Sequence, residues 1–188
     1  DINKAKTGLL ERTDAMNARY TNPDNDPEGD WAPDNPTAPE YSKTGTFAIQ
    51  SPFTGKLYYP ARGHWALESK KMKALLEEWG SEYVAKHLDD GYEAKALVLK
   101  GCNFSNGVPV DSDAVLQKAR EAAQRRYDMG SWPKLLFTKG GDGGPMLKRY
   151  LKDVRQGRVS MTFWSDEDYD TPLDIGCVSW SHPESGTS

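Results

Sequence analysis

The feature that most constrains how this chain can fold is a glycine loop with the sequence Lys139-Gly140-Gly141-Asp142-Gly143-Gly144-Pro145. Clustered glycines interrupt helices and strands, because glycine loses the most backbone freedom on folding. The largely apolar residues 134–138 before the loop predict a strand. Pro145 suits the start of a helix and Gly157 its end, so residues 145–157 are predicted to form a helix.

The predicted helix has an apolar stripe and a basic stripe. Leu147, Leu151 and Val154 recur at helical spacing and predict a packed face. The basic stripe lies about 100° around the helix and consists of Lys148, Lys152 and Arg155. Residues 134–158 contain seven lysines and arginines but two acids, in a chain of formal net charge -4. This pattern is typical of a polyanion site, so we expect nucleic acid as the partner; a solvated amphipathic helix is the alternative.

Length and composition bound the class of protein. The chain has 188 residues, which suits one domain, residues 1–188, with its own core. It has no apolar run of the ~18 residues that a membrane span needs, and its N-terminus lacks the apolar core of a signal peptide. Cys102 and Cys177 are far apart, which favours reduced thiols over a disulfide or a zinc site. We therefore expect a soluble cytoplasmic protein.

Turn signals and periodicity predict an α+β fold, with a small mixed or antiparallel sheet and several helices. Residues 1–45 are expected to be an irregular wrapping segment, because prolines interrupt any periodicity at positions 23, 27, 33, 36 and 39. Residues 46–50 and 56–59 predict a hairpin. Helices are predicted over residues 67–79, 82–88 and 112–127, the last with Ser112 as its N-cap. Further strands are predicted over residues 95–100, 159–164 and 175–180.

Three other kinds of site fit the sequence poorly. Asp24-Asn25-Asp26-Pro27-Glu28-Gly29 is like the start of a calcium loop, but Asn35 stands at its twelfth position, so we prefer an ordered Asx-rich turn. The glycine loop lacks the Lys-Ser/Thr of a Walker motif and the third glycine of a dinucleotide fingerprint. A hydrolase triad has no local signature, since no serine lies in a Gly-x-Ser-x-Gly elbow.

Several segments in order along the chain resemble the type III-like adenine-specific DNA methyltransferases, the Mod subunits of restriction-modification systems. The segment Leu10-Glu11-Arg12-Thr13-Asp14-Ala15-Met16-Asn17-Ala18-Arg19-Tyr20-Thr21-Asn22-Pro23-Asp24-Asn25-Asp26-Pro27-Glu28-Gly29-Asp30-Trp31 is similar to the stretch after their catalytic half. The similarity continues through the hairpin, Gly63-His64-Trp65, Gly141-Asp142-Gly143-Gly144-Pro145-Met146-Leu147-Lys148-Arg149-Tyr150-Leu151, Gln156-Gly157-Arg158-Val159 and Thr162-Phe163-Trp164. It covers about residues 1–79 and 134–188.

The chain also departs from the family's pattern. Glu28 and Asp30 stand where the family usually has arginine and proline, so a cation is lost from that loop. Residues 80–133 have no counterpart and are interpreted as an insertion. The catalytic [Asp/Asn/Ser]-Pro-Pro-[Tyr/Phe/Trp] motif and the Phe-x-Gly-x-Gly cofactor loop are missing. The chain alone is therefore expected neither to bind S-adenosylmethionine nor to methylate DNA.

The resemblance implies an excised DNA target recognition domain of an S-adenosylmethionine-dependent adenine-N6 methyltransferase. Its expected partners are double-stranded DNA, the rest of the methyltransferase and a restriction subunit; no catalytic, cofactor or metal residue is assigned. The residues expected to contact phosphates or guanines are Lys139, Lys148, Arg149, Lys152, Arg155 and Arg158. The weaker candidates for reading the DNA sequence are Asn103, Asn106, Gln124, Arg125 and Arg126. The alternative is a protein-interaction module, in which the alanine-rich helix contacts a restriction subunit or a second methyltransferase copy.

Overall fold

The computed structural model describes residues 9–154 and 157–159, with side chains described for residues 12–154. The chain divides into two units, residues 13–155 and the two termini, residues 1–12 with 156–188. In the terminal unit, strand β1 (Leu9–Glu11) pairs antiparallel with the strand Gly157–Val159. The strands predicted over residues 159–164 and 175–180 lie outside the described residues, except for Val159.

The N-terminal part of the larger unit is more regular than its prolines predict. Helix α1 (Asp14–Asn17) begins after Thr13, whose hydroxyl accepts a hydrogen bond from the backbone N–H of Met16 at 3.4 Å. Strands β2 (Trp31–Asp34) and β3 (Thr37–Ala38) follow. Strand β2 accommodates Pro33 because it is an edge strand. These short elements interrupt a segment that is otherwise irregular up to residue 45, as predicted.

A four-stranded sheet forms the centre of the larger unit. The elements that follow are β4 (Ile49–Gln50), β5 (Leu57–Tyr58), β6 (His64–Trp65), helix α2 (Ser69–Glu77), β7 (Tyr83–Lys86) and β8 (Ala96–Leu99). The sheet has the order β5-β4-β8-β7, with only β4 and β8 parallel, while β6 pairs with β3. The hairpin predicted over residues 46–50 and 56–59, the helix predicted over 67–79 and the strand predicted over 95–100 are confirmed. Residues 82–88, predicted as helical, instead contain β7, because all four residues of that strand pair with β8.

Residues 80–133 belong to the core of the larger unit. After β8 they form a hairpin of β9 (Asn103–Ser105) and β10 (Val108–Val110), then helix α3 (Asp113–Asp128). The helix confirms the one predicted after Ser112. Tyr83, Leu97 and Leu99 are almost completely buried in the main apolar cluster, and Ala123 joins them from α3. Whatever the origin of this segment, the fold depends on it.

The glycine loop joins two antiparallel strands and not a strand to a helix. Strand β11 (Leu135–Phe137) precedes the loop, β12 (Pro145–Tyr150) follows it, and β12 also pairs with β2. A short 3-10 turn, Leu151–Asp153, comes next. The predicted basic helix is therefore wrong over residues 145–154. Its residues find their backbone partners in β2, where Tyr150 lies opposite Trp31, and no local pattern reveals that pairing.

Helices α2 and α3 and the sheets of the larger unit pack around one main apolar cluster. Trp79 is fully buried in it and donates its indole N–H to the backbone oxygen of Leu135 at 2.9 Å, which ties the end of α2 to β11. This mixture of strands and helices confirms the predicted α+β class. Within the described ranges, no helix is long and apolar enough to cross a membrane.

Candidate nucleic-acid interface

A buried lysine lies in the middle of β12. Lys148 is only 2% exposed, and its Nζ lies 2.5 Å from an oxygen of Asp24 and 2.5 Å from an oxygen of Asp26. It donates a further hydrogen bond to the backbone oxygen of Trp132 at 2.7 Å. We call Lys148, Asp24 and Asp26 the lysine cluster. Lys148 is not accessible to DNA in this structure, which corrects its assignment as a phosphate contact.

The two carboxylates of the lysine cluster are held by the turn that follows Asn22. The Asn22 side chain accepts a hydrogen bond from the backbone N–H of Asp26 at 2.7 Å and donates one to its backbone oxygen at 2.9 Å. Asp24 also accepts the indole N–H of Trp31 at 2.8 Å, and Asp26 accepts the hydroxyl of Tyr150 at 3.0 Å. The predicted ordered Asx-rich turn is confirmed, and its two buried carboxylates share one lysine as their cation.

The lysine cluster makes the stability of the fold depend on pH. Burial acts to raise the pKa of Asp26, but hydrogen bonds from Lys148, the Glu28 backbone and Tyr150 outweigh it and lower that pKa. A carboxylate with a lowered pKa stabilises the fold above its ordinary pKa of about 4, and this contribution is lost as the pH falls through the lower folded value.

We therefore expect Asp26→Asn to be less stable than the unaltered protein at neutral pH, with a difference that shrinks below about pH 4. In acid the protonated aspartic acid carries no charge, as asparagine carries none. Urea unfolding followed by tryptophan fluorescence measures both proteins across this range. A difference that stays constant into acid would contradict the assigned charge on Asp26.

Two residues that contact the lysine cluster, Trp31 and Trp132, also line a surface groove of about 250 Å³. We call it the aromatic groove. Tyr127 lines the same groove and stacks on Trp132, with ring centroids 4.7 Å apart and planes 9° apart. Trp31 meets Trp132 edge-on at 6.1 Å. Asp24 accepts the Trp132 backbone N–H at 2.6 Å. Because Lys148 binds the backbone oxygen of the same tryptophan, the cluster fixes this wall of the groove.

Arg19 and Lys139 bring positive charge to the aromatic groove. Arg19 is exposed and donates a hydrogen bond to the Tyr20 hydroxyl at 2.9 Å. Lys139 is exposed too, and no acid in the described part of the chain forms an ion pair with it. Of the residues expected to contact phosphates, Lys139 is thus the one that the structure leaves both exposed and unpaired among the described side chains.

Close packing of the glycine loop places Lys139 beside the groove. Gly141 has a φ of 104°, and a Cβ atom there would lie 2.4 Å from the ring of Phe53. A Cβ atom on Gly143 would lie 1.9 Å from the hydroxyl oxygen of Thr138. Only glycine therefore lets the loop approach its neighbours this closely at both positions.

The other basic residues near the C-terminal end are paired where they are described. Arg149 is exposed and lies 3.2 Å from Asp34. Lys152 is exposed and pairs with Glu28. A second cation that was expected to contact phosphate is therefore paired with an acid of the same chain. The residues whose side chains lie outside the described part are Arg155 and Arg158.

The candidates for sequence reading lie on two elements. Asn103 and Asn106 are exposed, on β9 and in the turn of its hairpin. Gln124, Arg125 and Arg126 lie near the end of α3, where Gln124 donates a hydrogen bond to Asp128 at 2.8 Å. Arg125 is exposed, whereas the Nε of Arg126 is buried and has no hydrogen-bond partner among the described residues.

Sequence reasoning missed the residues that give the aromatic groove its second cation and its aromatic walls, namely Arg19, Trp31, Tyr127 and Trp132. They come from the C-terminal side of α1, from β2, from α3 and from the loop before β11, so no sequence pattern joins them. The one local signal is Trp132, which precedes the apolar strand β11 by three residues, with Lys134 between them.

Comparison of the chain with protein-family models, with curated proteins and with solved structures found no match in any of the three.

Proposed function

We propose that the chain is the DNA target recognition part of an S-adenosylmethionine-dependent adenine-N6 DNA methyltransferase of a restriction-modification system. One observation carries the proposal: two segments that resemble that family, residues 10–31 and 141–151, meet in the lysine cluster. Chance matches far apart in a chain have no reason to form one hydrogen-bonded network. This network also positions the wall of the aromatic groove.

The aromatic groove has side chains that suit nucleic acid. Lys139 and Arg19 offer positive charge to phosphates, while Trp132 and Tyr127 offer flat apolar surfaces to bases and sugars. Phosphate contacts of this kind set the position of a protein on the duplex, and contacts with base edges add sequence specificity. The groove therefore serves first to anchor double-stranded DNA.

The chemistry belongs to other parts of the parent enzyme. This chain contains no Pro-Pro dipeptide and no Phe-x-Gly-x-Gly loop, so S-adenosylmethionine and the target adenine would be held elsewhere. The parent would turn the adenine out of the duplex before methyl transfer. A cytoplasmic location suits this role.

The alternative, a protein-interaction module, has less support from α3. Ala119 and Ala123 of that helix are buried in the main apolar cluster, so the alanine face is already covered by the protein itself. A partner would have to use the remaining, largely polar face of the helix. This favours DNA over a restriction subunit as the ligand of the larger unit.

Reversing the two cations of the aromatic groove tests the proposal. In the full chain, Arg19→Glu combined with Lys139→Glu is expected to weaken duplex binding. The slope of log affinity against log salt should become shallower by about 2, since each phosphate contact contributes about 0.9. Fluorescence anisotropy with a labelled duplex at several salt concentrations gives both quantities.

The matched control is Lys71→Glu combined with Lys95→Glu, which makes the same change in net charge at two exposed lysines that do not line the groove. It should leave the slope close to that of the unaltered chain. Equal losses in both double variants would assign the effect to bulk charge and not to the groove. An unaltered chain that binds no duplex at all would overturn the proposed function.

A further inference from the structure

A second groove, of about 430 Å³, runs along helix α3 and shares no residue with the aromatic groove. We call it the α3 groove. Its helix side consists of residues three, four or seven apart, which lie on one face: Val115, Lys118, Ala119, Ala122 and Arg125. Its other side is formed by residues 80–82 and by the end of β8 with Lys100.

The α3 groove carries more positive than negative charge, because Lys100, Lys118 and Arg125 face one acid, Glu82, which interacts electrostatically with Lys118 as well as with Lys100. Its one acid, Glu82, lies 2.5 Å from Lys100, and that hydrogen bond is the main cause of the lowered pKa of Glu82. Lys118 and Arg125 are exposed, and neither forms an ion pair with any acid in the described ranges. Two cations of the groove are therefore available to an anion.

The shape of the groove also leaves room for a ligand. Its floor has small residues, Gly80, Ala119 and Ala122, so no long side chain fills it. Arg126 does not line the groove, and its buried Nε is therefore not part of this site.

The spacing of the two free cations suits a DNA strand. Lys118 and Arg125 are seven residues apart, which is about 10 Å along a helix axis. Successive phosphates of one DNA strand advance about 3.4 Å along the duplex, so cations at this separation reach different phosphates.

We propose that the α3 groove is a second anchoring site, at which Lys118 and Arg125 bind two phosphates of one strand of the duplex. The inference rests on the proposed function, since it takes DNA as the ligand. It also changes the role of Arg125, which was expected to read bases. Phosphate contacts carry no sequence information, so the groove strengthens binding to every sequence alike.

The test uses the full chain and the neutral double variant Lys118→Gln with Arg125→Gln. Anisotropy titrations with two duplexes of unrelated sequence, each at several salt concentrations, give affinities and salt slopes. The affinity of the variant is expected to fall by the same factor for both duplexes, roughly 50-fold at 0.1 M salt. The slope of log affinity against log salt should become shallower by about 2 for each duplex. Lys71→Gln with Lys95→Gln is the matched control, and thermal melting confirms that each variant is folded.

The outcomes separate this inference from the proposed function. If the unaltered chain binds duplex DNA and the double variant keeps the same salt slope, the α3 groove is not an anchoring site, although the proposed function stands. A loss confined to one of the two duplexes would make Arg125 or Lys118 a base-reading residue and would also overturn the inference. If the unaltered chain binds neither duplex, both proposals fail.

Discussion

Replacing Lys148 with methionine is expected to lower the free energy of unfolding by about 3 to 5 kcal/mol. Methionine fills a similar volume but leaves two buried carboxylates, Asp24 and Asp26, without their cation. It also leaves the backbone oxygen of Trp132 without this donor. Removing one partner of a buried ion pair costs far more than the pair contributes, because the remaining charge stays out of water. Urea unfolding at neutral pH measures the loss.

Two further variants show whether the buried charges cause this loss. Arg149→Met changes the next residue of β12, whose ion pair with Asp34 is half exposed, and should cost no more than about 1 kcal/mol. Adding Asp24→Asn and Asp26→Asn to Lys148→Met removes the orphaned charges and should restore part of the lost stability. If Lys148→Met were as mild as Arg149→Met, the lysine cluster would not be the buried network described above.

Deleting residues 80–133 is expected to abolish cooperative folding of the larger unit. The deletion removes β7, β8 and α3, and with them several of the most deeply buried side chains of the main cluster. It also removes a hydrogen-bond partner of Gln50. This side chain is fully buried, and its oxygen accepts the backbone N–H of Leu99 at 2.9 Å. Near-ultraviolet circular dichroism and thermal melting should show no native aromatic signal and no sharp transition.

A mild change within the same segment provides the comparison. Val108→Ser, at a side chain that is 60% exposed on the β9–β10 hairpin, should alter stability by no more than about 0.5 kcal/mol. The contrast would show that the segment tolerates surface changes but cannot be removed. A deleted chain that still melts cooperatively would restore the interpretation of residues 80–133 as a separable insertion.

The sequence alone predicted those elements whose signals are local. The β4–β5 hairpin follows from its Pro-Phe-Thr-Gly turn, and α2 and α3 follow from helical spacing. Ser112 precedes α3 as predicted, but its hydroxyl hydrogen-bonds the backbone of Asn103 and Val110 and not the first turn of the helix. Strands β8 and β11 follow from short apolar runs between turns. Together these elements were sufficient for the α+β class, because each is determined by residues that are neighbours in the chain.

Only the tertiary structure decided that residues 145–150 form strand β12 and not a helix. Pro145 is compatible with a helix start and with the end of a strand, and the leucines and lysines beyond it match helical spacing. Pairing with β2, more than a hundred residues earlier, supplies the hydrogen bonds that settle the choice. The same pairing brings Lys148 to Asp24 and Asp26, so a residue that its own neighbourhood marks as exposed becomes buried.

The candidate sites also depend on contacts that are distant in the chain. The sequence placed Lys139 on a glycine loop and Arg125 on a helix, and both are exposed as expected. It could not place Arg19 beside Lys139, nor Lys118 and Arg125 across from the end of β8, because a groove is formed by elements that meet only on folding. The sequence thus determined which basic and aromatic side chains the chain has. Their grouping into two grooves was decided by the packing of distant segments around a common core.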